Sequence, residues 1–96
     1  MLVDWDERKN RLNQRIHRVR FEVAQEVFFD PNVVIAEDHV GEAGEMRYQA
    51  IGACISGVVP LLLVVHVYRR EVIRIISARK ATSYETEFYS TFQGSN

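Results

Sequence analysis

The segment Val72-Ile-Arg-Ile-Ile-Ser-Ala-Arg-Lys-Ala81 sets three cations into a β-branched run. Val72, Ile73, Ile75 and Ile76 favour a pleated, buried backbone. A strand within a small core has no need of Arg74, Arg79 and Lys80 so close together. Either all three side chains snorkel to solvent from a strand end, or the sheet is a rigid floor that holds cations against a phosphate. Guanidinium groups suit the second role, because each is planar, grips two anionic oxygens at once and never deprotonates. One geometric condition attaches to it. Arg74 and Arg79 have opposite parity and leave an ideal strand on opposite faces. They reach one site only if the strand ends or bulges between them, and Ala78 is the expected place.

Proton transfer needs a group that titrates near neutrality or is shifted there. The side chains available are His17, His66, Glu85, Lys80 and Tyr89. His17 falls at the end of a helical pattern, where a histidine also serves by bonding a carbonyl. His66 lies in an apolar strand and reads as a half-buried sheet residue, and His39 lies solvated in an acidic loop. Three histidines without clustered spacing do not make a zinc site, so no metal and no cofactor is expected. There is no glycine-rich phosphate loop, nucleophile elbow or paired-cysteine motif. The single cysteine, Cys54, sits among apolar residues without a cationic neighbour, as a small buried hydrophobe does. A lone thiol forms no internal disulfide and fits a reducing compartment, the cytoplasm.

The elements that must position these groups follow from length and periodicity. The 96 residues suffice for one domain with one core, expected over 1–92 with a disordered tail at 93–96. A formal net charge of −1 means that any polyanion site must come from uneven charge distribution. No signal peptide is expected ahead of the charges that begin at Asp4, and the apolar run Val58 to Val65 is too short to span a bilayer. Val3-Asp4-Trp5-Asp6 reads as a short strand or a capping segment. Asp6 is a good N-cap for a helix from about Glu7 to His17, with Leu12, Ile16 and Val19 as its apolar stripe. A break at Arg18 to Arg20 leads to a second helix through Phe21, Ala24, Val27 and Phe28, ending before Pro31.

The period then changes. Val33 to Ala36 reads as a strand and Glu37 to Glu45 as an acidic loop with Gly41 and Gly44. Met46 to Ile55 is a strand, Ser56-Gly57 a turn, and Val58 to Tyr68 an almost wholly apolar, central strand. Arg69-Arg70 is a tight turn, and Glu71 to Ser77 is a further strand. Thr82 and Glu85 make a capping box for a last helix to Phe92, with Tyr84, Phe88 and Phe92 along it. The expected fold class is α+β: two N-terminal helices, an antiparallel sheet of about four strands with its helices on one face, and a C-terminal helix.

These residues resemble the BrnT toxins. Asp4-Trp5-Asp6, Lys9, Asn13, His17 and Phe21-Glu22-x-Ala24 look like that family's opening. Arg47-Tyr-x-Ala-Ile-Gly52, the apolar strand to Val67, and Ile73-Arg-Ile-Ile-Ser-Ala-Arg-Lys-Ala81 look like the remainder, with Glu85 and Tyr89 in the last helix. The resemblance implies a RelE-like fold and a metal-independent endoribonuclease. It also implies a type II toxin silenced by a small, DNA-binding, BrnA-like antitoxin. Such an enzyme lets the 2′-hydroxyl of RNA attack the adjacent phosphorus and supplies cations and proton transfer. On that basis Arg79, Arg74, His17 and Glu85 are the expected catalytic residues. Lys80, Arg47, Arg69, Arg70 and Lys9 are the expected RNA-binding cations. Three departures from the family stand out: Ile16-His17-Arg18 where members tend to read Lys-His-Gly, Ser83-Tyr84 where two Arg often follow Ala-Thr, and a less basic last helix. They leave open a second reading, a catalytically weak module of the same fold that binds protein only. A third, an interaction protein dimerising through Tyr84, Phe88 and Phe92, needs no site at all.

Overall fold

The computed structural model describes residues 2–55 and 61–94. The chain runs β1 (Leu2–Trp5), α1 (Glu7–His17), α2 (Phe21–Ala24) continued by a 3₁₀ segment (Gln25–Phe29), β2 (Val34–Val40), β3 (Met46–Gly52), β4 (Leu62–Arg69), β5 (Val72–Lys80) and α3 (Ser83–Gly94). The α+β class holds, with differences of detail. The sheet has five strands in the order β1-β5-β4-β3-β2, so the apolar β4 is central. The additional strand is β1, which pairs with β5 in parallel, Val3 opposite Ile73 and Trp5 opposite Ile75. The sheet is therefore mixed, and the aromatic between two acids is an edge strand. The acidic stretch after Ala36 is also partly strand, since β2 continues to Val40 with a register shift after Glu37. The expected turn at Ser56-Gly57, and the start of the Val58 strand, lie outside the described residues. Gln93 and Gly94, expected in the tail, belong to α3, and the Gln93 amide donates to the Asn32 carbonyl at 2.9 Å.

The β-branched run forms β5 as expected, but its irregularity falls earlier than Ala78. His66 pairs with Ile75 while Val65 pairs with Ser77, which leaves Ile76 as the extra residue. The bulge reverses the parity of everything after it. Arg74 now lies opposite Val67 and Arg79 opposite Leu63, positions that alternate onto one face of β4. Lys80, opposite Leu62, leaves from the other face.

That other face carries the core. Phe21, Ala24, Val27 and Phe28 from α2 and the 3₁₀ segment cover Ala50, Val64, Ile73 and Ile75. Their approach is close: a Cβ on Gly52 would lie 2.9 Å from the Val27 Cβ and 3.0 Å from its carbonyl oxygen. The helices do not share one face. α3 lies over the side opposite this core, where Glu85 and Phe88 meet Gln49 and Ile51.

α1 docks in a way its apolar residues do not foretell. Asp6 caps it, accepting from the Arg8 and Lys9 amides at 2.8 and 3.4 Å. Leu12 and Ile16, expected to face inward, are 54% and 62% exposed, whereas Asn10 and Asn13 are 4% and 5% exposed. Asn13 donates to the carbonyls of Ala78 and Val19 at 2.8 and 2.9 Å and accepts from the Ala78 amide at 3.0 Å. Asn10 accepts from the Phe21 amide at 2.9 Å and donates to Glu22 at 3.0 Å. β1 ends at Trp5, so the edge of β5 beyond Ile75 needs another partner, and a helix-borne amide supplies it. The apolar stripe of α1 is thereby turned outward.

Candidate nucleic-acid interface

The face bearing Arg74 and Arg79 also bears Arg47, Gln49, Val65, Arg69 and Ser77, by register and alternation. Two adjoining hollows open on it. In the first, Lys9, Leu12, Ile16 and His17 of α1 face Arg47, Ile76 and Ser77. In the second, Lys9, Arg47 and Ile76 recur, joined by Arg69 and the turn after β2 with Glu42 and Glu45. The bulge at Ile76 and the outward stripe of α1 thus build one wall each.

Lys9, His17 and Arg47 share the first hollow, and none of these side chains forms a hydrogen bond or ion pair among the described residues. His17 does not bond a carbonyl, as a purely structural helix-end histidine would. Arg69 is gripped by Glu45 through two bonds of 2.9 and 3.1 Å, which lower the Glu45 carboxyl from its ordinary range. Arg70 lies outside both hollows, in the β4–β5 turn with φ 59°.

The two arginines of β5 are otherwise engaged. Arg74 pairs with Asp4, its register partner on β1, at 3.2 Å. Arg79 binds both carboxylate oxygens of Glu85, at 2.8 and 2.9 Å. Glu85 also accepts from the Thr82 amide at 2.9 Å, and the Thr82 hydroxyl accepts from the Glu85 amide at 3.1 Å, which completes the expected capping box. The Arg79 guanidinium holds the Glu85 carboxyl below the usual range, so Glu85 is a charged clamp at neutral pH. Arg74 and Arg79 share a face but line neither of these two hollows, and each neutralises its own carboxylate.

The other titratable candidates serve the fold. His66 is fully buried; its Nδ1–H meets the Val64 carbonyl and its Nε2 meets the Tyr68 hydroxyl, each at 3.2 Å. Burial lowers its pKa and keeps it neutral. Tyr89 donates to Asp30 at 2.7 Å; burial and then that carboxylate push its phenol up to about 12. Burial raises the Cys54 thiol to about 11, which removes it as a nucleophile at neutral pH. Among the described residues no group of three His, Cys, Asp or Glu side chains converges as metal ligands do. No helix there is long and apolar enough to cross a membrane.

The family model described as the ribonuclease toxin BrnT of a type II toxin–antitoxin system matches residues 5–85. The chain belongs to the BrnT toxin family. No curated relative matches it. Membership of a toxin–antitoxin family brings with it an antitoxin partner. The match runs from Trp5 to Glu85, so the two hollows and the Arg79–Glu85 clamp of this BrnT chain fall within it, and the edge strand β1 meets it only at Trp5. Two of its departures from the family pattern acquire a structural meaning. Arg18 adopts the left-handed conformation, φ 62° and ψ 27°, as the residue that ends α1, a position where glycine is ordinarily favoured. Ile16 lies on the rim of the first hollow, where a lysine would add a further cation to it.

Sequence reasoning missed the burial and bonding of Asn10 and Asn13 and the contribution of Ser77, Leu12 and Ile16 to the site wall. The signal for the first was present: Asn10 and Asn13 are three apart and so share one side of a helix.

Proposed function

We propose that this chain cleaves RNA by helping its 2′-hydroxyl attack the adjacent phosphorus, without a metal, at the hollow between α1 and the sheet. What carries the reading is the company of Lys9, His17 and Arg47 in one hollow, none of them hydrogen-bonded through its side chain among the described residues, with Arg47 in the field of Glu45. Lys9 and Arg47 hold the phosphate and offset the charge that grows on it in the transition state. His17 takes the proton of the attacking hydroxyl, for which an imidazole nitrogen is a suitable acceptor, and water protonates the departing 5′-oxygen. Arg69 and Arg70 extend the cationic track for the flanking backbone. Arg74, and Arg79 with its partner Glu85, lie outside both hollows, and the two arginines join only by exchanging a carboxylate for a phosphate; Lys80 leaves from the opposite face. In the cell the activity inhibits translation from the cytoplasm, in a RelE-like fold. A BrnA-like antitoxin, itself the DNA-binding partner, silences it in a hetero-tetramer.

The test is cleavage of a defined RNA in EDTA by purified protein, with and without ribosomes. Cleavage leaving 2′,3′-cyclic phosphate ends is expected. Removing a general acid–base group typically costs ~10²–10⁴-fold, so His17→Ala is expected to fall in that range with an unchanged melting temperature. A second reading, a catalytically weak module that only binds antitoxin, draws support from the double engagement of Arg79 by Glu85 and from Ile16 on the rim. Absence of cleavage under every condition, with antitoxin still bound, selects it.

A further inference from the structure

The two hollows are unequal and contiguous. The first encloses about 290 Å³ between α1 and β5, and the second about 220 Å³ between α1 and the turn after β2. Each is below the ~300–1,000 Å³ of an ordinary small-molecule site, and together they fall within it. Lys9, Arg47 and Ile76 are common to both, so the cations stand at the junction. The outer walls differ: Leu12, Ile16 and His17 on one side, the Arg69–Glu45 pair and Glu42 on the other.

Arg47 is held at that junction by the turn. The Gly41 amide donates to the Glu45 carbonyl at 2.8 Å, and the Gly44 amide donates to the Gly41 carbonyl at 2.9 Å, with Gly44 at φ +82°. The tightened loop brings Gly41 under the Arg47 side chain. A Cβ on Gly41 would meet Arg47 Nε at 2.7 Å and Cζ at 3.3 Å. The obstacle is the far end of a flexible side chain, and Gly41 has no left-handed φ. A methyl group there is therefore accommodated by moving the guanidinium while the backbone stays in place.

From this arrangement we infer that the site takes two successive nucleotides, one in each hollow, with the phosphate that joins them at Lys9 and Arg47, and that Gly41 is the positioning residue for Arg47. The inference rests on the nuclease reading for its chemistry and adds the size of the unit bound. A phosphate at the junction has both cations within reach, and a dinucleotide that places it there fills the hollow on either side with a sugar and a base. A nucleoside monophosphate fills one hollow and leaves the other to water. The α1 side, with its aliphatic wall, receives a base by apolar contact. The turn side receives its neighbour among charged side chains.

The experiment is a binding titration of the full-length protein with uncleavable ligands: a 2′-deoxy dinucleoside monophosphate and the matching nucleoside 3′-monophosphate. The dinucleotide is expected to bind at least tenfold more tightly. Gly41→Ala is expected to remove most of that advantage with an unchanged melting temperature. In the Arg47→Ala background the same change is expected to have no further effect, because both act through one guanidinium. Equal affinity for the two ligands overturns the two-nucleotide site, and it needs no variant to be seen. Additive losses from Gly41→Ala and Arg47→Ala overturn the positioning role. Neither result depends on catalysis: failure to cut RNA removes the nuclease, whereas these ligands are not cut at all.

Discussion

Asn13 is bonded through its side-chain amide to both the N–H and the C=O of Ala78, so a helix residue completes the ladder of a strand. The pairing replaces what a longer β1 would have provided. It fixes α1 beside the bulge and so sets the width of the first hollow.

Replacing Asn13 by Ala strips a buried N–H and two buried carbonyls of their partner. An unsatisfied buried polar group costs ~1–3 kcal/mol, so the loss is expected at about 2–4 kcal/mol in urea unfolding, with some water entry. A loss below 0.5 kcal/mol would mean that the strand edge finds another partner. Leu12→Ala is the control: that side chain is mostly exposed and is expected to change stability by less than about 1 kcal/mol.

Arg18→Gly is expected to stabilise the protein by about 0.5–1 kcal/mol. Arg18 holds φ 62°, where an L side chain is strained and glycine is not. Its amide still closes the helix on the Gln14 carbonyl at 3.0 Å, and glycine retains that bond. Thermal unfolding measures the change, and a lower melting temperature contradicts it.

Glu85→Gln keeps an oxygen for the Thr82 amide but ends the ion pair with Arg79. Both side chains are partly exposed, so the stability cost is expected below about 1 kcal/mol after solvent screening. Freed of its carboxylate, Arg79 becomes available to phosphate, and RNA affinity at low salt is expected to rise several-fold. Unchanged affinity, measured by fluorescence titration, would leave Arg79 as a strut for α3 alone.

Tyr89→Phe separates a proton donor from a tether. The hydroxyl serves Asp30, which also accepts from the Ala53 and Asn32 amides at 2.8 and 2.9 Å. Loss of one charge-assisted bond is expected to cost ~1–2 kcal/mol and to leave RNA cleavage intact once the protein is folded. A hundredfold fall in cleavage with unchanged stability would return Tyr89 to the chemistry.

The pH dependence has two parts. His66 is neutral in the fold and its pKa is lowered below 6.5, so the unfolded chain takes up a proton first as pH falls. Its contribution is complete above about pH 6.5 and erodes below it. Glu22, Glu85, Asp30 and Glu45 are also lowered, and theirs erodes only below about 4.5. Urea midpoints between pH 6.5 and 5 therefore isolate His66, and His66→Phe is expected to flatten that range.

Much of the fold could be read from the chain because local signals agreed with the packing. Asp6, Thr82 and Glu85 marked helix starts by their capping chemistry, and the near-continuous apolarity of β4 marked the centre of the sheet. Other features depend on partners that sequence proximity does not reveal. β1 is a strand only because β5 lies beside it, and Leu12 and Ile16 are turned outward only because two amides outcompete them for the sheet edge. A strand end or bulge near Ala78 was the condition for Arg74 and Arg79 to serve one site, and the register with β4 puts the bulge at Ile76. Within the site, residue type named the cations and could not say which were already neutralised. Asp4, Glu45 and Glu85 decide that, and only folding brings Asp4 and Glu45 to their arginines.

The parallel pairing of β1 with β5 ties the first strand of the chain to the last. Non-local contacts of this kind form slowly, because a long loop must close before any bond repays it. During synthesis β1 and Asn13 emerge early and wait, without a template, until β5 follows. A chain interrupted ahead of Ser77 leaves α1 without a berth, so the hollow between α1 and the sheet arises only once β5 has been made.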